Sequence, residues 1–296
     1  MVYVLSNHKA GGDFLKNEKR IKEMFEGESV EFYSCSEIEN KREFLNRITE
    51  NDTLVIIGGD GTLNRFVNSI DDKDYPFPIY CYAGGTGNDF INDVVGDDSR
   101  FVRINEYIKE LPTVFVGGKE YRFINGVGFG LDGYCCEIGD KKREKTGKAP
   151  NYLKIALGGL LGGYKPRNAR VTIDGVVREY KNVWLAPAMN GRFYGGNMMI
   201  TPTQNRLNPE KKISFAVAHT KSPLTILTKL PTVFKGNHLK FKKVFEIIEG
   251  YEIKVEFDRP CALQIDGETV KDVQFYEAKS WAVAHKKEEK TATRTS

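Results

Sequence analysis

The stretch Thr53-Leu54-Val55-Ile56-Ile57-Gly58-Gly59-Asp60-Gly61-Thr62 decides the fold. Residues 53–57 are apolar or β-branched throughout, as a strand buried on both faces of a parallel sheet requires. The glycines that follow let backbone N–H groups approach an anion closely and permit positive φ. Residues 63–70 then read as a helix, whose N-terminus adds further donors and a positive dipole end.

The same alternation extends outward in both directions. Residues 2–6 and 30–34 read as strands. Residues 14–26 read as a helix with Leu15, Ile21 and Phe25 near one face, and residues 41–50 as a helix with Phe44, Leu45 and Ile48 inward. Residues 78–82 form another strand, and a helix opens near Asn88. This order predicts a doubly wound parallel α/β sheet. From about Lys119 strands dominate: 121–125, 170–173, 176–180, 183–186, 213–218, 252–257 and 261–265. Asp174-Gly175 is a hairpin-turn signal. The expectation is a β-rich sandwich or barrel, interrupted by helices over 152–161 and 224–234. The domains read as 1–118 for an α/β nucleotide-binding unit and 119–275 for a β-sandwich. Residues 276–296 read as a segment returning to the first domain and ending in a polar tail.

Bulk properties narrow the function classes. The chain has 296 residues, 40% hydrophobic and 28% charged, an ordinary globular composition. No apolar run approaches the ~18 residues of a membrane span. Residues 1–6 are too short an apolar run for a secretory signal, so the expected location is cytoplasmic. Cys35, Cys81, Cys135, Cys136 and Cys261 show no Cys-x-x-Cys spacing, and the four histidines form no spaced pair. That argues against a disulfide framework and a transition-metal site. The net charge of +4 is mild, and the aromatic motifs of RNA-binding modules are missing, so no nucleic-acid partner is expected. Lys141, Lys142, Arg143, Lys145 and Lys148 cluster, as do Lys235, Lys240, Lys242 and Lys243. These read as solvated loops or as attraction to an anionic membrane.

Three glycine-rich loops leave the carboxyl ends of predicted strands, where parallel α/β sheets bind ligands. They are Asn7-His8-Lys9-Ala10-Gly11-Gly12, the 58–62 loop, and Gly84-Gly85-Thr86-Gly87-Asn88-Asp89. Three such loops on one edge suit a polyphosphate. No Walker or Gly-x-Gly-x-x-Gly spacing occurs at these loops, which disfavours a P-loop NTPase and a standard dinucleotide fold. Asp60 and Asp89 would repel phosphate unless a cation such as Mg²⁺ bridges them. Each also reads as a helix cap. For Asp60 the flanking glycines favour the functional reading, and for Asp89 the two readings are balanced.

Val-Ile-Ile-Gly-Gly-Asp-Gly-Thr at 55–62 and Ala-Gly-Gly-Thr-Gly-Asn-Asp-Phe at 83–90 resemble the diacylglycerol kinase catalytic family, which includes bacterial lipid kinases and sphingosine and ceramide kinases. Residues 125–137, with Gly128-Phe129-Gly130-Leu131-Asp132-Gly133, residues 190–202, and Gln264-Ile265-Asp266-Gly267-Glu268 resemble three later signatures of that family, in the same order. The resemblance implies an NAD kinase/diacylglycerol kinase-like α/β domain, a C-terminal β-sandwich, and transfer of the γ-phosphoryl group of ATP to a lipid hydroxyl. Diacylglycerol is the default acceptor. It implies nucleotide binding by Asn7, Gly58, Gly59, Asp60, Gly61, Thr62 and the third loop with Gly85, Thr86, Asn88 and Asp89. Asp60, Asp89 and Asp132 would organise Mg²⁺, and Glu268 would be the general base, with Asp60 beside it in catalysis. Ile-Asp-Gly occurs at both 173–175 and 265–267, and both read as hairpin turns, so the residues alone do not select Glu268. Asn208-Pro209-Glu210-Lys211-Lys212 departs from an acidic family segment that holds a structural Mg²⁺, and Ser34 and Ser36 compete as a hydroxyl contact to nucleotide. The implied partners are a membrane lipid and a second copy in a homodimer; the two helical insertions beside the basic clusters read either as a face that docks transiently on the membrane or as helices packed on the sandwich core. The rival readings are a NAD kinase and a catalytically silent nucleotide- or lipid-binding regulator.

Overall fold

β1 (Val2–Ser6) lies between β2 (Val30–Ser34) and β3 (Thr53–Gly58), and β4 (Ile79–Ala83) flanks β3 on its other side. These four strands run parallel, and β5 (Phe101–Arg103) closes the edge antiparallel to β4. The computed structural model describes residues 1–6, 14–35, 37–84, 87–96, 99–148 and 150–285. The chain divides after Glu110 into two units.

In the first unit Leu54, Val55 and Ile56 are fully buried, as expected of a central strand covered by helices on both faces. Those helices are α1 (Phe14–Met24), α2 (Lys41–Leu45), α3 (Asp60–Val67), α4 (Asp89–Val95) and α5 (Asn105–Ile108). Ile21 of α1 and Phe66 and Val67 of α3 enter the core. Helix α3 begins at Asp60, three residues before the predicted start, so 60–62 form its first turn instead of a free loop. Helix α2 ends at Leu45, and Ile48 is buried from the turn beyond it. The order β2-β1-β3-β4-β5 changes direction between β1 and β3, the switch point where such sheets open a ligand crevice.

The second unit contains β6 (Thr113–Val116), β7 (Lys119–Arg122), β8 (Gly126–Gly130), β9 (Arg167–Ile173), β10 (Val176–Met189), β11 (Phe193–Tyr194), β12 (Met198–Met199), β13 (Ile213–His219), β14 (Phe245–Gly250), β15 (Glu252–Ile265) and β16 (Glu268–Lys279). Its helices are α6 (Leu131–Thr146), α7 (Tyr152–Gly158), α8 (Pro223–Lys229) and α9 (Trp281–Ala284). β10 and β15 are 14 residues each and organise the sandwich. β9 pairs with the first half of both, and β8 pairs with the second half of both. The enclosed core holds Phe129, Val171, Phe215, Phe257 and Tyr276; Phe129 and Phe257 stack at 4.7 Å, and the Tyr276 hydroxyl donates to the Ala186 carbonyl at 2.9 Å.

Two predicted boundaries move. β6 pairs with β16, so the second unit starts at Leu111 and not at 119. β16 runs unbroken to Lys279 and α9 belongs to the same unit, so 276–285 do not return to the first domain. Residues 286–296 lie outside the described residues.

Candidate active site

In the first unit the site is built where β3 meets α3. Gly58 has no room for a side chain, because a Cβ there would collide with Thr62. The Thr62 and Leu63 N–H groups close the first turn on the Gly59 carbonyl at 3.0 and 3.1 Å. The N–H groups of Gly59 and Gly61 belong to neither bond.

Asp60 then ties two of the predicted loops together. Its N–H donates to the Gly87 carbonyl at 3.0 Å. Its carboxylate accepts from the Asp89 N–H at 2.8 Å and the Phe90 N–H at 3.0 Å. The residue preceding α4, Asn88, supplies no side-chain cap, so the α4 cap comes from Asp60 across the sheet edge. This resolves the two aspartates differently from the sequence reading. Asp60 is a helix cap, of α4 and not of its own helix, and Asp89 is the buried first residue of α4. The first two N–H groups of α4 are therefore engaged by protein. Gly85 and Thr86, like Asn7, Ser36 and the whole 7–13 segment, lie outside the described residues. Ser34 is buried at the end of β2.

In the second unit three family-like segments converge on one turn. Asp266 sits at φ +47° in the β15–β16 hairpin, and its carboxylate accepts from the N–H groups of Ile124, Asn125 and Gly126 at 2.6, 2.8 and 2.9 Å. The Asn190 side chain donates to the Ile124 carbonyl at 3.1 Å, and the Asn190 N–H to the Asn125 carbonyl at 2.9 Å. Arg206 adds a fork to the Ile124 carbonyl at 2.5 Å and to the Asn125 side chain at 2.6 Å. Asp266 and Asn190 fall in motifs the sequence reading quotes but gives no role, and Arg206 lies outside them with no local signal that would have found it.

Glu268 is exposed on the first residue of β16, paired across the hairpin with Ile265. The neighbouring Thr269 hydroxyl donates to Asp140 of α6 at 2.7 Å, which fixes the start of the strand against that helix. Asp132 lies in the first turn of α6. Both of its carboxylate oxygens are buried without a hydrogen-bond partner among the described residues, and burial pushes its pKa up to about 6. The backbone N–H groups of Asp132 and Gly133 and the Gln264 amide pull the other way, and desolvation wins. Gly128 leaves the space for this carboxylate, since a Cβ there would come within 2.7 Å of its Oδ2.

A raised folded-state pKa gives a stability contribution that is complete below about pH 4 and lost as pH rises through about 6. Asp132→Asn stays neutral throughout. With a chelator present, it should gain up to about 3 kcal/mol over the wild type between pH 4 and 8. Denaturant titrations across that range check this, and a constant difference contradicts it.

At 208–212, the Asn208 side chain bonds both the N–H and the carbonyl of Lys212 at 3.0 Å, and the Lys212 ammonium pairs with Glu210. Among the described residues no group of three His, Cys, Asp or Glu side chains gathers as a metal cage. Asp60 and Asp89 in the first unit, and the orphaned oxygens of Asp132 in the second, are hard-oxygen groups of the kind that suits Mg²⁺, which usually keeps its waters and binds through one or two carboxylates plus substrate phosphates.

Residues 1–112 match the diacylglycerol kinase catalytic domain, and residues 125–277 match the YegS C-terminal NAD kinase β-sandwich-like domain. The Bacillus subtilis (strain 168) protein YtlR, whose name assigns it provisionally to the lipid kinases, is 26% identical over 213 residues, 64% of this chain and 66% of that protein. The Mycobacterium tuberculosis (strain ATCC 25618 / H37Rv) diacylglycerol kinase is 25% identical over 201 residues, 65% of this chain and 63% of that protein. The matched stretches span less than two thirds of these relatives' own length. A crystal structure of a diacylglycerol kinase from Bacillus anthracis str. Sterne superimposes with a TM-score of 0.65 at 17% identity, covering 95% of this chain and 94% of that one, a likeness of fold.

Proposed function

Because the chain belongs to the diacylglycerol kinase catalytic family, we propose that it transfers the γ-phosphoryl group of ATP to the hydroxyl of a membrane lipid, with diacylglycerol the first acceptor to test. The observation that carries this reading is Asp60: it fastens the 58–62 and 84–89 segments into one unit at the crevice end of the parallel sheet. The N–H groups of Gly59 and Gly61 then serve as donors to phosphate oxygens. Mg²⁺, when bound, neutralises charge on the β- and γ-phosphate oxygens. In the first unit Asp60 and Asp89, and in the second unit Asp132, are the candidate residues for holding it, directly or through water.

Glu268 is the general base. As the lipid oxygen bonds to the γ-phosphorus and the β,γ-bridging bond breaks, ADP leaves and the hydroxyl proton passes to the Glu268 carboxylate. Asp266 holds the hairpin that presents Glu268, and Thr269 braces it on Asp140. The match to an NAD kinase β-sandwich-like domain makes NAD a second acceptor to test.

The deciding measurement is transfer of label from γ-labelled ATP to a total lipid extract, with NAD in parallel and the products identified. Labelled phosphatidic acid supports the reading. Label on NAD alone assigns the rival acceptor, and no lipid-dependent consumption of ATP assigns a silent binding protein. Glu268→Ala should lower turnover by about 10²–10⁴-fold with nucleotide affinity unchanged. Near-normal turnover removes the general base from Glu268.

A further inference from the structure

Helix α7 is apolar on more than its inward face. Ile155 is buried, yet Leu153 is 63% exposed, and Leu161, in the π-helical turn after α7, is 78% exposed. Helix α8 packs against that turn and repeats the pattern, with Ile226 buried and Leu224 64% exposed. A helix apolar on its outer side as well as its inner side needs a cover other than water.

The segments that carry these leucines are charged with one sign only. Residues 145–173 and 211–245, which carry both helices, contain no Asp or Glu. Lys154, Lys165, Lys221, Lys235, Lys242 and Lys243 are exposed and have no ion pair among the described residues. On the sandwich strands, Lys254 and Lys279 are matched by Glu252 and Glu277. Within the first basic cluster Lys141 and Arg143 pair with Glu137 and Asp140 of α6, which lowers that cluster's share of the free charge.

We propose that this face, Leu153, Leu161 and Leu224 within their ring of lysines, docks the protein on an anionic lipid surface. The leucines enter the headgroup–acyl boundary while the lysines stay at the phosphates. Among the described residues no helix is long and apolar enough to cross a membrane, so the face lies on the bilayer. A second copy of the chain is the poorer occupant, because a two-fold contact would set two lysine-rich segments against each other. The inference rests on the lipid-kinase reading for its purpose, but its physical content is independent of catalysis.

The test is co-sedimentation with vesicles of phosphatidylcholine alone or mixed with phosphatidylglycerol. The wild type should bind the mixed vesicles and release as salt rises. The exposed double variant Leu153→Gln/Leu161→Gln should bind on the order of tenfold more weakly, and Lys221→Gln/Lys242→Gln should lose the preference for anionic lipid. On a short-chain diacylglycerol dissolved as monomers, the leucine variant should keep the wild-type rate, while its rate on long-chain lipid in vesicles falls with binding. Equal binding to neutral and anionic vesicles, or undiminished binding by the leucine variant, overturns the docking face. So does a wild type that ignores vesicles but forms a leucine-dependent dimer by light scattering. Vesicle binding as expected, with neither lipid phosphorylated, retains the docking face and removes the kinase reading.

Discussion

Asp266→Ala is expected to destabilise the second unit by about 4 kcal/mol, because it strips the acceptor from three buried backbone N–H groups at once. Ile124 and Asn125 are 1% and 3% exposed, so water cannot replace the carboxylate without opening the hairpin. Alanine also tolerates the +47° φ of this position less well than aspartate does. Asp174 provides the internal control. It occupies the same Ile-Asp-Gly turn at φ +48° and caps the N–H groups of Tyr251 and Glu252, but at an exposed site. Asp174→Ala should therefore cost only about 1 kcal/mol. Urea denaturation of both variants is the measurement, and equal losses would refute the account. Since Glu268 follows directly from this turn, Asp266→Ala should also lower turnover at temperatures where it remains folded.

The two turns mark how far sequence alone reaches. Ile-Asp-Gly announces a hairpin because Asp and Gly accept positive φ, and both hairpins are present. What the tripeptide cannot announce is a partner 140–142 residues away. The same limit hid Arg206 and the partner of Asn190, since what matters is the carbonyls these side chains reach and not their neighbours along the chain.

Strand reading failed for local reasons of a different kind. β10 and β15 were each expected as two strands, and each is one strand carrying an irregularity. In β10 the register shifts after Tyr180, where Asn182 takes φ +56°; in β15 it shifts between Glu256 and Cys261, across the exposed Asp258-Arg259-Pro260. A bulge interrupts the apolar pattern just as a turn does. β8 was missed because Gly126-Val127-Gly128-Phe129-Gly130 lacks the usual branched residues, and its glycines exist to admit Asp132 and Pro187. Helix α6, the longest in the chain, was hidden by Gly133 and Gly139. β3, by contrast, was legible to within one residue, because a central strand has no exposed face to blur its composition.

Asp60 is where stability and chemistry meet, and Asp60→Ala should show both. Loss of its two bonds to the N-terminus of α4 should cost about 1–2 kcal/mol, the usual value of a helix cap. That leaves the first unit folded at room temperature, with a lower thermal midpoint. On the proposed reading turnover should fall much further, by about 10³-fold or more, because the carboxylate would hold the cation on the phosphates as well as residues 87–90. Asp60→Asn separates the contributions. Its single carbonyl oxygen can keep one bond to α4 but carries no charge, so it should recover part of the thermal midpoint and little of the rate. If the rate instead returned in proportion to the midpoint, Asp60 would be a structural cap and nothing more. The physical case against that outcome is the charge itself. A carboxylate set among phosphate-binding glycines opposes the ligand unless a cation joins them, and a neutral cap would serve α4 without that opposition.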